Sequence, residues 1–200
     1  QSNGILFSAK EIDELEEAGL DRINLSIHSL QQEKAAYLAG APWFEIDKIK
    51  QAAKQIAESS IDLLIAPVYI PGINDEDIPE LIRFAHDIGA GKRWPALGIQ
   101  KFEHYRLGRS PGKVHAQSWW QFYNRSMVDW EKQFSMPLRL RPQDFAIEKR
   151  PMIPTVLEKK EKTWVDIRAP GWLRGEMLGV AKNRVVSVMD CPVPQGRLRV

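Results

Sequence analysis

Twice in the first hundred residues an amphipathic helical stripe stops at a glycine and gives way to a strand, and this order constrains the fold most. Ser8-Ala-Lys-Glu11 has the spacing of a capping box, in which the serine hydroxyl and the glutamate satisfy free backbone N–H groups. Ile12, Leu15 and Ala18 then form one stripe, Gly19 supplies a left-handed stop, and Arg22-Ile-Asn-Leu-Ser-Ile-His28 follows as a strand. A second helix is predicted over 44–58, with Ile46, Ile49, Ala53 and Ile56 on one face. The segment Asp62 to Ile70 is nearly all apolar, as a parallel strand covered on both faces should be. After Pro71-Gly72, Asn74 or Asp75 caps a helix striped by Ile78, Leu81, Ile82, Ala85 and Ile88. Gly89 ends it, and Ala96 to Phe102 is the next strand. Helices alternating with buried strands pack most simply as βα units around a parallel sheet, so the fold class here is α/β.

Beyond Glu103 the pattern changes. Residues 104–114 are basic and loop-like, and 115–136 connect onward through a helix holding Trp119, Trp120, Phe122, Tyr123, Trp130 and Phe134. Packing onto a core is the expected use of most of these rings, with a stacking platform for bases as the alternative. From Pro137 the chain reads as short strands: 138–141, 164–168, 175–180, 184–189 and 197–200. Ala181-Lys-Asn183 suits a turn, and the Pro-rich Arg150 to Pro154 suits a hinge. The expected organisation is a βα barrel segment at 1–114, a connecting helix at 115–136 and a small all-β, OB- or SH3-like domain at 137–200.

Charge separates the same halves. Residues 1–90 hold 7 Lys+Arg against 16 Asp+Glu, whereas the rest hold 21 against 10. A basic second half is expected to face a polyanion or an acidic surface. Those of its C-terminal region include Lys159, Lys160, Lys162, Arg168, Arg174, Lys182, Arg184, Arg197 and Arg199. With Trp164 and Trp172 they make a candidate nucleic-acid surface, set against a merely solvated basic face. The lone Cys191 cannot form an internal disulfide, a zinc ribbon or an iron–sulfur site. No apolar run is long enough to span a membrane and no signal peptide is visible, so a cytoplasmic location is expected. The chain opens on Gln1 and ends in what reads as an unfinished strand, as if cut from something longer.

The strand at 22–28 carries the clearest chemical signal. Alternation puts Asn24, Ser26 and His28 on one face, opposite Ile23, Leu25 and Ile27. A helix-backed parallel strand is usually apolar on both faces, so a polar face implies a polar lumen or a ligand at the strand's C-terminal end. His28 there could hydrogen-bond a ribose or a carboxylate, or act as an acid or base. Ile70 to Asp77 lies at the matching end of the next strand, and Asn74 with its acids is ordinary helix capping there. Gln100, Lys101 and Glu103 close the third strand. Gly89-Ala-Gly-Lys92 is not a phosphate loop, because the earlier glycine is missing and Arg93 stands in place of Ser/Thr. His104 and His115 lack metal-ligand spacing.

The order of these motifs resembles the radical S-adenosylmethionine (SAM) superfamily. Gln1-Ser-Asn-Gly4 resembles the end of that barrel's third strand, Gly19 to Ser29 its fourth, and Tyr69-Ile-Pro-Gly-Ile-Asn-Asp75 the end of its fifth. The resemblance spans residues 1–103 and implies a partial (βα)₆, TIM-like barrel with SAM across the C-terminal strand ends. It places Asn3, Ser26, His28, Ile70, Gly72 and Gln100 as cofactor-binding residues, with the backbone around Ile70 to Gly72 near the adenine. His28 stands where many members have Asp. The family's cofactors are SAM and a [4Fe–4S] cluster, whose cysteine triad is absent here and expected upstream. The basic β-region more loosely resembles the TRAM or OB-like modules of RNA-modifying members, and archaeal iron–sulfur oxidoreductases are the nearest overall likeness. The implied activity is reductive cleavage of SAM to a 5′-deoxyadenosyl radical that abstracts hydrogen from RNA or protein, with an external electron donor and no membrane. A non-catalytic RNA-binding protein with a degenerate barrel is the alternative. A βα-barrel lyase or aldolase has only Lys101 in its favour.

Overall fold

In the computed structural model, which describes residues 1–105 and 108–200, the first helix starts and stops where its end signals stand. α1 (Ala9–Glu17) is entered from Ser8, whose N–H donates to Glu11 Oε2 at 3.0 Å. The Ser8 hydroxyl also bonds that carboxylate, within the expected capping box. Gly19 (φ 76°) and Gly89 (φ 71°) follow their helices in the left-handed region that favours glycine.

The strands between the helices are parallel. β1 (Arg22–Leu25) pairs with β2 (Asp62–Ile65) from Arg22↔Asp62 to Leu25↔Ile65. Past Ala66 and Pro67 the same strand resumes as β3 (Val68–Tyr69), which pairs with β4 (Gln100–Lys101). Parallel bridges Ser2↔Leu25 and Ile65↔Leu97 extend both ends of this order. Four chain segments therefore run side by side. The one long strand expected at 62–70 is divided because Pro67 has no N–H to give the ladder.

α2 (Gln32–Ala39) and α3 (Ile46–Glu58) connect β1 to β2, and α4 (Asp77–Asp87) connects β3 to β4. Ile49, Ala53, Ile56, Ile78, Leu81, Ile82 and Ala85 are buried against Ile23, Leu25, Leu63 and Ile65 in one core. α2 was not legible in the sequence. Its Gln-Glu-Lys-Ala-Ala-Tyr-Leu-Ala has small residues where a stripe would be, and only Ala35 and Leu38 are buried.

The aromatic helix begins at Trp119, later than the expected 115. It runs as α5 (Trp119–Gln121), a π-helical turn (Phe122–Ser126) and α6 (Met127–Phe134). Phe122, Met127 and Trp130 join the core, with Trp130 edge-on to Tyr69 at 4.9 Å. The strand expected at 138–141 does not form. Glu131 Oε1 accepts from the N–H groups of Leu138 and Arg139, each at 2.9 Å, and so takes the donors a ladder would need. Burial opposes the Glu131 charge, but these donors and the Arg139 guanidinium outweigh it and hold the pKa below the usual carboxylate value. Leu138 is buried in the same core. Residues 137–148 therefore belong with the first compact unit, Gln1–Glu148, and the division falls at Lys149 instead of near 137. Of the basic 104–114 loop, residues 106 and 107 lie outside the described residues.

The second unit, Lys149–Val200, is a four-stranded antiparallel sheet in the order β7-β6-β5-β8. Its strands are β5 (Trp164–Pro170), β6 (Met177–Ala181), β7 (Arg184–Val188) and β8 (Gly196–Arg199). Lys182 (φ 45°) and Asn183 (φ 61°) make the expected tight turn between β6 and β7. Val165, Ile167 and Ala181 form a small core, and register shifts between Ile167 and Ala169. Among the described residues no helix is long and apolar enough to cross a membrane.

Candidate functional site

The expected polar face of the first strand is present. Ile23, Leu25 and Ile27 are buried, whereas Asn24, Ser26 and His28 are half-buried and face away from that core. Asn3, Ser26 and His28 line one cleft of about 480 Å³ with Ser29, Leu38 and Trp43. Ser26 Oγ accepts from Gln1 Nε2 at 3.3 Å, and Asn3 Oδ1 accepts from the N–H of Ile5 at 3.2 Å. A second cleft of about 290 Å³ is lined by His28, Ile70, Gln100, Lys101 and Glu103 at the same ends of the strands. His28 borders both clefts. Five of the six cofactor-binding residues expected from sequence are thus gathered around one imidazole. Gly72 lines neither cleft, and its N–H donates to Asp75 Oδ2 at 2.6 Å in the turn after β3.

The geometry defines the state of His28. The N–H of Val68 donates to Nδ1 at 3.0 Å, so the ring takes the place of the next backbone acceptor of β1. A nitrogen that accepts an N–H carries no proton, and the neutral ring's hydrogen therefore sits on Nε2. Burial lowers the imidazole pKa from its ordinary 6.5, since a cation loses more than a neutral ring when water is removed. His28 is thus a neutral Nε2–H donor at the strand ends.

Asn74 holds this arrangement together and was underrated as a helix cap. It is fully buried. Its Nδ2 donates to the carbonyls of His28 (3.1 Å) and Val68 (2.9 Å), and its Oδ1 accepts from the N–H of Ile70 at 2.7 Å. One side chain so braces the ends of β1 and β3. Beside it, the Tyr69 hydroxyl donates to Asp75 Oδ1 at 2.7 Å, and burial together with that carboxylate raises the phenol pKa above its ordinary value. Ser29 Oγ bonds the buried Asp77, whose other oxygen meets Lys34 Nζ at 2.7 Å. No local sequence signal could have joined Asn74 to His28, or Asp77 to Ser29 and Lys34, because each of these pairs lies more than forty positions apart.

Asn24 Oδ1 is buried with no hydrogen-bond partner in the described structure. It lies on the polar face with Ser26 and His28, and an orphaned buried acceptor there calls for a donor. A ligand with hydroxyl donors and a carboxylate fits Asn3, Ser26 and His28, which share one cleft. An iron–sulfur cluster does not fit these residues. Cys191 is the chain's one cysteine, and no group of three His, Cys, Asp or Glu able to hold a metal occurs among the described residues.

On the second unit, Lys159, Lys160, Lys162, Arg168 and Arg174 are exposed. Lys182 pairs with Glu161, Arg184 bonds the carbonyls of Asn183 and Pro154, and Arg197 lies 4.0 Å from Asp166 and 5.4 Å from the Trp164 ring. Three of the nine expected nucleic-acid contacts are therefore partly engaged inside the unit.

A parallel βα sheet with a polar, ligand-ready face at its C-terminal strand ends is the class this unit defines. Residues 1–85 match the family model of the Radical SAM superfamily. That family uses SAM and a [4Fe–4S] cluster. An uncharacterized protein of Methanocaldococcus jannaschii is 38% identical over 206 residues, covering 96% of this chain and 48% of that protein. A GTP 3′,8-cyclase of Rhizobium etli is 33% identical over 88 residues, covering 44% of this chain and 24% of that enzyme. A probable GTP 3′,8-cyclase of Methanosarcina mazei is 36% identical over 84 residues, 42% of this chain and 25% of that enzyme. The chain thus spans about half the length of the first relative and about a quarter of the cyclases.

Proposed function

We propose that this chain forms the SAM-facing part of a radical SAM enzyme that modifies a macromolecule, RNA or protein. The reading rests above all on the gathering of Asn3, Ser26 and His28 around one cleft. Bound there, SAM would supply the hydrogen-abstracting group. The chain's own residues would bind and orient it. The His28 Nε2–H would donate to a ribose or carboxylate oxygen, and the backbone around Ile70 would border the adenine. The brace through Asn74 would hold these groups in register. One cysteine cannot ligate a cluster, so the thiolates would come from outside these 200 residues. An electron donor would be a further partner.

The basic residues of the second unit, led by Lys159, Lys160 and Lys162, would draw in the macromolecule, and an OB-like (TRAM-like) role for the sheet goes with them. The test is a calorimetric titration of the chain with SAM, alongside Ser26→Ala and His28→Ala variants. Wild-type binding with about tenfold or greater weakening in His28→Ala is expected, in line with the loss of a buried hydrogen bond. No SAM binding by the wild type, with salt-sensitive RNA binding retained, would instead favour the non-catalytic RNA-binding reading.

A further inference from the structure

The rings of the aromatic helix divide sharply between two fates. Phe122 and Trp130 are 1% and 8% exposed, but Trp119, Trp120 and Tyr123 remain 54%, 61% and 39% exposed. The π-turn at Phe122–Ser126 carries Phe122 into the core one helical step from rings left in solvent. Trp119 and Tyr123 stack on each other, with centroids 5.6 Å apart and planes 20° from parallel. Cations flank them: Arg125 lies 5.5 Å from the Trp120 ring, and Lys101 Nζ lies 5.1 Å from the Trp119 ring. Lys101 also lines the cleft beside His28, so this platform adjoins the strand-end site. The Lys101 side chain is only 5% exposed and is charge-matched by Glu103 at 2.9 Å, whereas Arg125 makes no ion pair among the described residues. From residue 104 to 128 the sequence has four Lys and Arg and no Asp or Glu.

We propose that Trp119, Trp120 and Tyr123 form a stacking site for the bases of a single-stranded nucleic acid, entering beside the strand-end clefts. Flat rings open on the surface suit any base, because every base has a π-face, and Arg125 beside Trp120 suits its phosphates. A peptide would gain little from cations set against rings and would be held better by closed apolar pockets. This inference rests on the macromolecular reading above and chooses RNA over protein within it.

The test measures binding of a fluorescein-labelled twelve-nucleotide oligouridylate by anisotropy, with heparin as a polyanion that has no bases. Trp119→Ala with Trp120→Ala should weaken oligouridylate binding by about tenfold or more and leave heparin binding unchanged. The Phe substitutions at both positions should restore most of the affinity, and a circular-dichroism melt should show the exposed changes to be harmless to folding. Wild-type oligouridylate affinity in the double Ala variant overturns the proposal. So does an equal loss for heparin, or a loss confined to peptide ligands. SAM titration of the same variants separates the two readings: unaltered SAM binding with lost oligouridylate binding supports both. Absent SAM binding in the wild type removes the enzyme reading and leaves the platform standing.

Discussion

At the scale of single residues, His28 shows how one contact sets a chemical state. Val68 N–H occupies Nδ1, burial disfavours the cation, and the ring borders both clefts. The folded pKa lies below the ordinary 6.5, so the fold binds the His28 proton more weakly than the unfolded chain does. The resulting stability is complete above the unfolded pKa and is lost as pH falls from there through the lowered folded value. We expect the first unit to lose stability on acidification below about pH 6.5, and His28→Asn to remove part of that slope. Urea denaturation of both proteins across pH 5 to 7.5 measures it, and parallel slopes would place the acid sensitivity elsewhere. The polar face of β1 was legible in the sequence, because alternation alone assigns Asn24, Ser26 and His28 to one side. The tautomer was not. It depends on Val68, which is forty positions away.

At the scale of elements, α2 and α4 are joined through charge. Asp77 is fully buried at the start of α4, between Ser29, four residues beyond β1, and Lys34 on α2. Removing one partner of a buried pair strands the other charge, which costs more than the pair contributes. Lys34 is partly exposed (27%), so water offsets some of that penalty. Lys34→Met should therefore cost about 2–3 kcal/mol, and Lys34→Met with Asp77→Leu should recover most of it. A double-mutant cycle from denaturant midpoints checks this, and additive single effects would show that the pair does not couple. Helices with strong stripes, α1, α3 and α4, were readable because a period of 3.6 needs only neighbouring residues. α2 lacked such a stripe, and the expected strand at 138–141 was lost because Glu131 claimed its donors.

At the scale of the molecule, the two units differ greatly in buried apolar material. The first has a continuous core running from Ile12 to Leu138, while the second buries Val165, Ile167 and Ala181 under a few partly covered neighbours. Fifty residues bury a smaller share of their surface than a hundred and fifty, so the second unit should be the weaker. Scanning calorimetry should show two transitions, with Gly179→Ala lowering only the earlier one. A Cβ on Gly179 would sit 2.3 Å from Val165 Cγ1 in that small core. A single transition, or a shift in the later one, would mean that the units unfold together.

What the sequence determined by itself was whatever depends on short spacing. That includes the α/β order, the stops at Gly19 and Gly89, the polar side of β1, the turn at Lys182-Asn183 and the basic second half. Each follows from steric or hydrophobic preferences acting over two to four residues. Tertiary structure alone decided the proton position on His28, the brace through Asn74, the orphaned oxygen of Asn24 and the boundary at Lys149. It also decided which aromatic rings turn inward. These outcomes depend on which distant group reaches a given donor or surface first, and that is a property of the assembled core, which no local period in the chain encodes.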